Sequence, residues 1–239
     1  MRLTRRAAAE FVGTAFLVAT VVGSGIAAQR LSPADVGLQL LENSLVTGAA
    51  LVALILALQP VSAAFNPVVT LVELALGALH AAEVAVLVTA QVLGGGVGAV
   101  VANLMFDLPA VTVSGHARTG AGLWLGEVVA TLGLVVVIFG VVRSGRAPMV
   151  AFAVGGYITA AYWFTSSTSF ANPAVTTARM FSDTFAGIAP ASVAMFIVMQ
   201  LLGGALAYGL VRLLYPQAHA VAAELAAEPH DRLIRRSQP

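Results

Sequence analysis

The chain has 239 residues, of which 59% are hydrophobic and 10% charged, and its formal net charge is +1. A soluble domain carries about 25% charged residues, so this composition belongs to a membrane protein. The absence of cysteine excludes disulfides, thiolate nucleophiles and cysteine-based metal sites, and the lack of a basic stripe excludes a nucleic-acid surface.

The first segment, "MRLTRRAAAEFVGTAFLVATVVGSGIAA", mimics a signal peptide in placing basic residues before an apolar run. Its apolar length, the internal Glu10 and the further apolar segments behind it read as a retained first span. A helix rises about 1.5 Å per residue, so a hydrocarbon layer of about 30 Å takes about 20 apolar residues. Six segments meet that length: 8–28, 37–58, 82–106, 120–142, 147–167 and 189–214. Six spans put both termini on one face. Arg2, Arg5, Arg6, Arg143, Arg146, Arg212, Arg232, Arg235 and Arg236 share that face, against Arg30 and Arg118 opposite. The positive-inside rule makes the termini cytoplasmic in a multi-pass cell-membrane protein. Residues 215–239 form a polar cytoplasmic tail, expected as a short surface helix or a disordered segment.

The chain repeats itself. Glu10-x-x-Gly13-Thr14 in the first span returns as Glu127-x-x-Ala130-Thr131 in the fourth, and Gln91-x-x-Gly94-Gly95 in the third returns as Gln200-x-x-Gly203-Gly204 in the sixth. Residues 1–118 and 119–214 are therefore two copies of three spans each, and an odd number of spans makes them an inverted repeat. The paired glycines read as close helix contacts, since no strand precedes them as a phosphate loop would require.

Each copy holds one Asn-Pro stretch, "AFNPVVTLVEL" from residue 64 and "SFANPAVTTARM" from residue 169. Each is too short to cross a bilayer: 66–77 and 172–182 reach about half the hydrocarbon depth as helices. Pro67 and Pro173 suit a first helical turn, and Asn66 and Asn172 sit at the N-cap. The first stretch is too apolar for a surface loop. Non-helical backbone survives at membrane depth only inside protein or along a watery cavity. Two re-entrant half-helices meeting N-terminus to N-terminus satisfy that condition and focus positive dipole ends and amide donors at mid-membrane.

These features resemble the aquaporin, or major intrinsic protein, family over residues 1–214. The resemblance implies an all-α membrane fold of six transmembrane helices plus two re-entrant half-helices, assembled as a homotetramer in lipid. It also implies passive conduction of water and small uncharged solutes, with no cofactor, no metal and no catalytic residue. By the same resemblance Asn66, Pro67, Val68, Asn172, Pro173 and Ala174 form the pore waist, with Val68 replacing the family's alanine. Glu10 and Glu127 match acids that brace the adjoining loops, against a rival reading as proton relays.

The family's outer filter carries an arginine directly after the second box, where this chain has Val175. The matching filter positions are Ala160, Ser169 and either Thr47 or Val46, all small, so the filter is expected to be wide. Arg179, four residues beyond Val175, either reaches back as a displaced filter cation or pairs with Asp183 at the outer surface. Glu73 stands seven residues after Asn66 as Arg179 stands seven after Asn172, so the mouths carry opposite charges. The hydroxyl-rich run "FTSSTSF", 164–170, either meets solutes or satisfies its own backbone. Trp124, Trp163 and Tyr162 suit interfacial anchoring, with Tyr162 also a candidate pore-mouth contact. His80, His116, His219 and His230 scatter over loops and tail.

The resulting expectation is a channel for water, glycerol-like polyols or neutral metalloid hydroxides such as arsenous acid. A secondary transporter with inverted repeats is the alternative. A membrane-embedded enzyme lacks any usable catalytic set.

Overall fold

The computed structural model describes residues 2–216. The remainder of the expected tail, with His219 and His230, lies outside the described residues. Six helices are long and apolar enough to cross a membrane: α1 (Leu3–Leu31), α2 (Val36–Leu58), α4 (Ala81–Met105), α5 (Ala121–Arg143), α6 (Val150–Phe164, extended by a 3-10 turn at Ala147–Met149) and α8 (Pro190–Leu214). Between them sit the half-helices α3 (Pro67–Ala75) and α7 (Pro173–Ala178). Large apolar side chains such as Phe16, Leu93, Leu125, Phe152 and Leu201 lie exposed around this bundle, as a lipid-facing belt requires.

Helix ends follow local chemistry. The α3 helix stops at Ala75 because Gly77 adopts φ 81°, which lets Ala78 N–H reach Glu73 O at 2.9 Å and Gly77 N–H reach Leu74 O at 2.9 Å. That pair of bonds is a Schellman stop, which glycine enters without a Cβ penalty. Past Ala178, α7 tightens into a 3-10 turn over Arg179–Phe181, so the two re-entrant segments end as nine-residue units of matching length. The fifth expected span proves shorter than 147–167. Backbone helicity ends at Phe164, where Thr165 turns extended and its hydroxyl donates back to Ala161 O at 2.7 Å.

The packing is two-fold in pattern. Helix α1 packs on α4 and α2, as α5 packs on α8 and α6; α2 meets α6, α3 touches α4 and α8, α7 touches α8 and α4, and α3 meets α7. Exchanging α1–α4 for α5–α8 leaves these pairings unchanged. The glycine pairs explain how it closes. A Cβ on Gly94 would collide with the Phe11 carbonyl of α1, and one on Gly203 with the Val128 carbonyl of α5. Their neighbours face the other repeat: Gly95 lies against Ala174 and Ala178 of α7, and Gly204 against Val68 of α3. Each pair thus seats one long helix and one half-helix at backbone contact distance.

Gly94→Ala is expected to lower stability by about 1–3 kcal/mol through overpacking. Gly96→Ala, which meets nothing within 4 Å, should show no loss. Thermal unfolding of the detergent-solubilised protein checks both.

Candidate functional site: the paired Asn-Pro boxes

The half-helices begin alike. The Asn66 side-chain oxygen accepts from Val68 N–H at 3.0 Å, and that of Asn172 from Ala174 and Val175 N–H at 3.0 and 3.3 Å. Pro67 and Pro173 occupy the first turn, where a missing N–H costs nothing. Thr70 and Thr176, four residues on, each donate to the carbonyl of their asparagine, at 3.2 and 2.8 Å. All of these asparagines, prolines and threonines are buried.

The residue before each asparagine carries the unusual backbone. Phe65 and Ala171 both have φ 48°, a left-handed conformation in which a Cβ costs about 1–2 kcal/mol. The conformation aims each carbonyl at the opposite box. Asn66 donates its amide N–H to Ala171 O at 2.8 Å, and Asn172 donates to Phe65 O at 2.7 Å. These reciprocal bonds tie the two half-helices together tip to tip. One N–H of each amide is engaged in this way; the second has no protein acceptor among the described residues.

Two buried carboxylates hold the strained loops. Glu10 on α1 accepts from Ser62 Oγ (2.5 Å), Ala64 N–H (2.9 Å), Phe65 N–H (2.7 Å) and Gln91 Nε2 (2.8 Å). Glu127 on α5 accepts from Phe170 and Ala171 N–H, both at 2.9 Å, and from Gln200 Nε2 at 2.6 Å. Each glutamine also donates to the half-helix threonine, Gln91 to Thr70 at 2.9 Å and Gln200 to Thr176 at 2.8 Å. A bare carboxylate at this depth is costly; several charge-assisted hydrogen bonds offset that cost.

Val68, in place of the family's alanine, does not narrow the centre. It packs with Val72, Leu76, Val135, Phe139, Ala207 and Val211, in the space Gly204 leaves on α8. Ala174 is likewise fully buried.

The four filter positions are not all brought together. Val175 and Ser169 are buried beside the second box, and the Ser169 hydroxyl has no hydrogen-bond partner. On α2, Thr47 is buried and Val46 is 45% exposed, so Thr47 is the inward residue. Ala160 requires a correction. It is exposed, on the face of α6 that carries Phe152, Trp163 and Phe164, and points away from the bundle centre. A helix turns 100° per residue, so the inward positions are Ile158, Ala161 and Tyr162. Tyr162 is 3% exposed and its hydroxyl lies 3.2 Å from Thr47 Oγ1.

Arg179 is 2% exposed, and the surface pairing with Asp183 is not formed. Its Nε donates to Ala186 O, its guanidinium stacks 3.4 Å from the Phe170 ring centroid, and it interacts electrostatically with Tyr162. Its two terminal nitrogens make no hydrogen bond among the described residues. Asp183 instead accepts from Gly115 N–H at 2.9 Å and lies 3.9 Å from His116. Arg118 approaches the same Phe170 ring at 5.0 Å and donates to Gly187 O at 2.9 Å. Phe170 was not singled out by the sequence, since an aromatic before a box carries no charge or spacing signal.

The hydroxyl run mostly serves its own surroundings. Ser166 donates to Gly122 O at 2.7 Å, and Ser167 Oγ accepts from Ser169 N–H at 3.3 Å. Trp163 Nε1 donates to Ser44 Oγ at 3.1 Å, tying α6 to α2. Among the described residues no group of three or more His, Cys, Asp or Glu could hold a metal.

A bilayer-spanning inverted repeat with two half-helices joined at mid-depth defines a passive channel rather than an enzyme. The family model for the major intrinsic proteins matches residues 1–162 and 143–235. The chain is 48% identical to aquaglyceroporin AqpS of Rhizobium meliloti (strain 1021) over 227 residues, which cover 95% of this chain and 97% of that protein. It is 32% identical over 216 residues to aquaporin AqpM of Methanothermobacter thermautotrophicus, covering 77% and 86%. The X-ray structure of the aquaglyceroporin from Plasmodium falciparum superposes with a TM-score of 0.71 at 18% identity, covering 92% of this chain and all of that one. The chain belongs to the major intrinsic protein family, whose members are membrane channels for water and small uncharged solutes.

Glu127→Leu would strand the buried Phe170 and Ala171 N–H groups, at about 1–3 kcal/mol each. A matching fall in thermal stability, with lost water flux in proteoliposomes, is the expected outcome.

Proposed function

We propose that this channel sits in the cell membrane as a homotetramer with cytoplasmic termini. Its cargo is water together with glycerol-like polyols or neutral metalloid hydroxides such as arsenous acid. The observation that carries the reading is the reciprocal Asn66–Ala171 and Asn172–Phe65 pair, which leaves one amide N–H from each half-helix to face a common conduit. A neutral hydroxyl compound replaces its lost water hydrogen bonds with these donors. An ion cannot replace its whole hydration shell there.

The filter consists of Thr47, Tyr162, Ser169, Val175 and Arg179. Val175 leaves open the space that an arginine after the box would fill. Arg179 supplies the positive charge one helical turn further out, with free terminal nitrogens beside Phe170 and Tyr162. This ring is wider than a water-only filter while keeping a cation barrier. The relative named an aquaglyceroporin, at 48% identity, supports the wider cargo.

Stopped-flow light scattering on proteoliposomes tests the cargo. Water, glycerol and arsenous acid should all equilibrate faster than in empty vesicles, without saturation and without response to a proton or sodium gradient. Gradient-driven or saturating uptake would instead indicate a transporter.

Val175→Arg should reduce glycerol and arsenous acid flux relative to water flux in the same assay. Arg179→Ala should raise proton and sodium leak relative to water flux at least about tenfold, as expected for removing one charge within about 10 Å of the permeating ion at an effective dielectric near 20. A pH-sensitive dye and a sodium electrode read that ratio.

A further inference from the structure

Half-helix α3 and helix α8 do not close on each other along their outer flank. A groove of about 230 Å³ runs between them, with Val68, Val72 and Gly204 as its floor, Leu71 as one rim, and Leu201 and Tyr208 as the other. The floor residues are buried and both leucines are exposed, so the groove opens away from the bundle, within the apolar belt that meets lipid. Its lining side chains carry one polar atom, the Tyr208 hydroxyl.

The groove has the span of a single bilayer leaflet. Its inner end is fixed by Gly204, which lies against Val68, two residues past Asn66 and therefore near mid-depth. Arg212 stands eight residues further along α8, about 12 Å on, and half of a typical hydrocarbon layer is about 15 Å. A helix turns about 100° per residue, so Leu201, Ala205, Tyr208 and Arg212 form one stripe on α8. Arg212 thus caps the groove where its apolar floor ends, and its long side chain carries the guanidinium to headgroup level.

The capped end has the chemistry of a phosphate site. Arg212 Nη1 donates to the Tyr208 hydroxyl at 3.1 Å, with the guanidinium 5.7 Å from the ring centroid. That contact holds the cation over the groove and leaves the tyrosine O–H free to donate. No carboxylate pairs with Arg212 among the described residues. Helix α8 carries no acid, and Glu73 of α3 falls nearly opposite Leu71 and Ala75 by helical rotation. Arg143 ends α5 on the same face and Arg146 follows it, which adds positive potential there.

We propose that this groove binds an anionic phospholipid of the terminal-side leaflet. One acyl chain lies along Val68, Val72 and Gly204, and Arg212 and Tyr208 hold the phosphate by charge-assisted hydrogen bonds. A zwitterionic headgroup brings its own ammonium to the level of Arg212, whereas an anionic one leaves the phosphate charge to the arginine. The bound chain completes the wall beside α3, whose outer flank lies exposed at Leu71 and Ala75. This site does not depend on which solutes the channel passes.

The test uses the full-length protein in vesicles that mix phosphatidylglycerol and phosphatidylcholine, with one or the other carrying brominated acyl chains. Leu71→Trp places an indole at the exposed rim, and its quenching is read after subtraction of the wild-type signal from Trp124 and Trp163. Phosphatidylglycerol should occupy the groove about fivefold better than phosphatidylcholine, the effect of one arginine at an anionic surface. Adding Arg212→Gln should make the two lipids equal. Adding Arg5→Gln, which removes a charge of the same face on α1, should leave the preference intact. Adding Ala205→Leu, which fills the groove, should weaken quenching by both. Native mass spectrometry of wild type and Arg212→Gln reads the same lipid ratio without the reporter. Equal occupancy by the two lipids beside Arg212, or a preference that survives Arg212→Gln, would overturn the inference. So would an indole that neither lipid quenches, since protein rather than lipid would then cover this face.

Discussion

Everything in this molecule is arranged around one requirement: backbone that leaves the helix at mid-membrane must find its hydrogen bonds inside the protein. The loops before Asn66 and Asn172 break helicity where no water layer is at hand. Their exposed N–H groups are taken by Glu10 and Glu127, and the carbonyls of Phe65 and Ala171 by the opposite asparagine. The positive φ of Phe65 and Ala171 is the cost of aiming those carbonyls, and the carboxylates hold it in place. Remove either carboxylate and the aim of the carbonyl, the amide and the half-helix behind it is lost together.

That central knot dictates how closely the outer helices must approach. Carboxylates on α1 and α5 reach the loops only if α4 and α8 nestle against them, and the glycines at 94 and 203 permit backbone contact there. The companion glycines at 95 and 204 admit the half-helices of the opposite copy, so the knot and the bundle share one set of small residues. Val68 illustrates the coupling. A bulkier residue in the first box is accepted because its branch fills the Gly204 gap instead of the conduit.

Spacing made the spans, the two boxes and the acid pair legible in the sequence, because each is a residue type whose presence in an apolar chain has few physical explanations. Side-chain direction was less legible. Ala160 sits at the expected sequence distance from the second box, but α6 ends at Phe164, and the following turn through Thr168 and Ser169, at φ 61° and 52°, changes how the helix is registered against it. The inward residue becomes Tyr162, two positions on. Arg179 had two open readings because its burial depends on the 112–116 loop, whose Thr112 and Ser114 N–H groups donate to Phe181 O and Met180 O, and on the 183–189 loop, whose Ala189 N–H donates to His116 O. Nothing in local periodicity encodes a loop folding back. The Phe170 ring, bracketed by Arg118 and Arg179, is a tertiary coincidence of three segments and leaves no trace in spacing.

The same geometry separates a channel from a transporter. Alternating access needs an element with two packings of similar energy and a site whose occupancy biases them. Here the half-helices are locked to one another in both directions, and the intramembrane acids that could bind a coupling proton already accept three or four donors each. Protonating Glu10 or Glu127 would remove an acceptor from a strained loop rather than select a second state. Among the described residues no further carboxylate lies beside the boxes, and the half-helices are tied to each other in both directions. In the reading proposed above, selectivity rests on the amide donors at the middle and on Arg179, and flux follows the solute gradient alone.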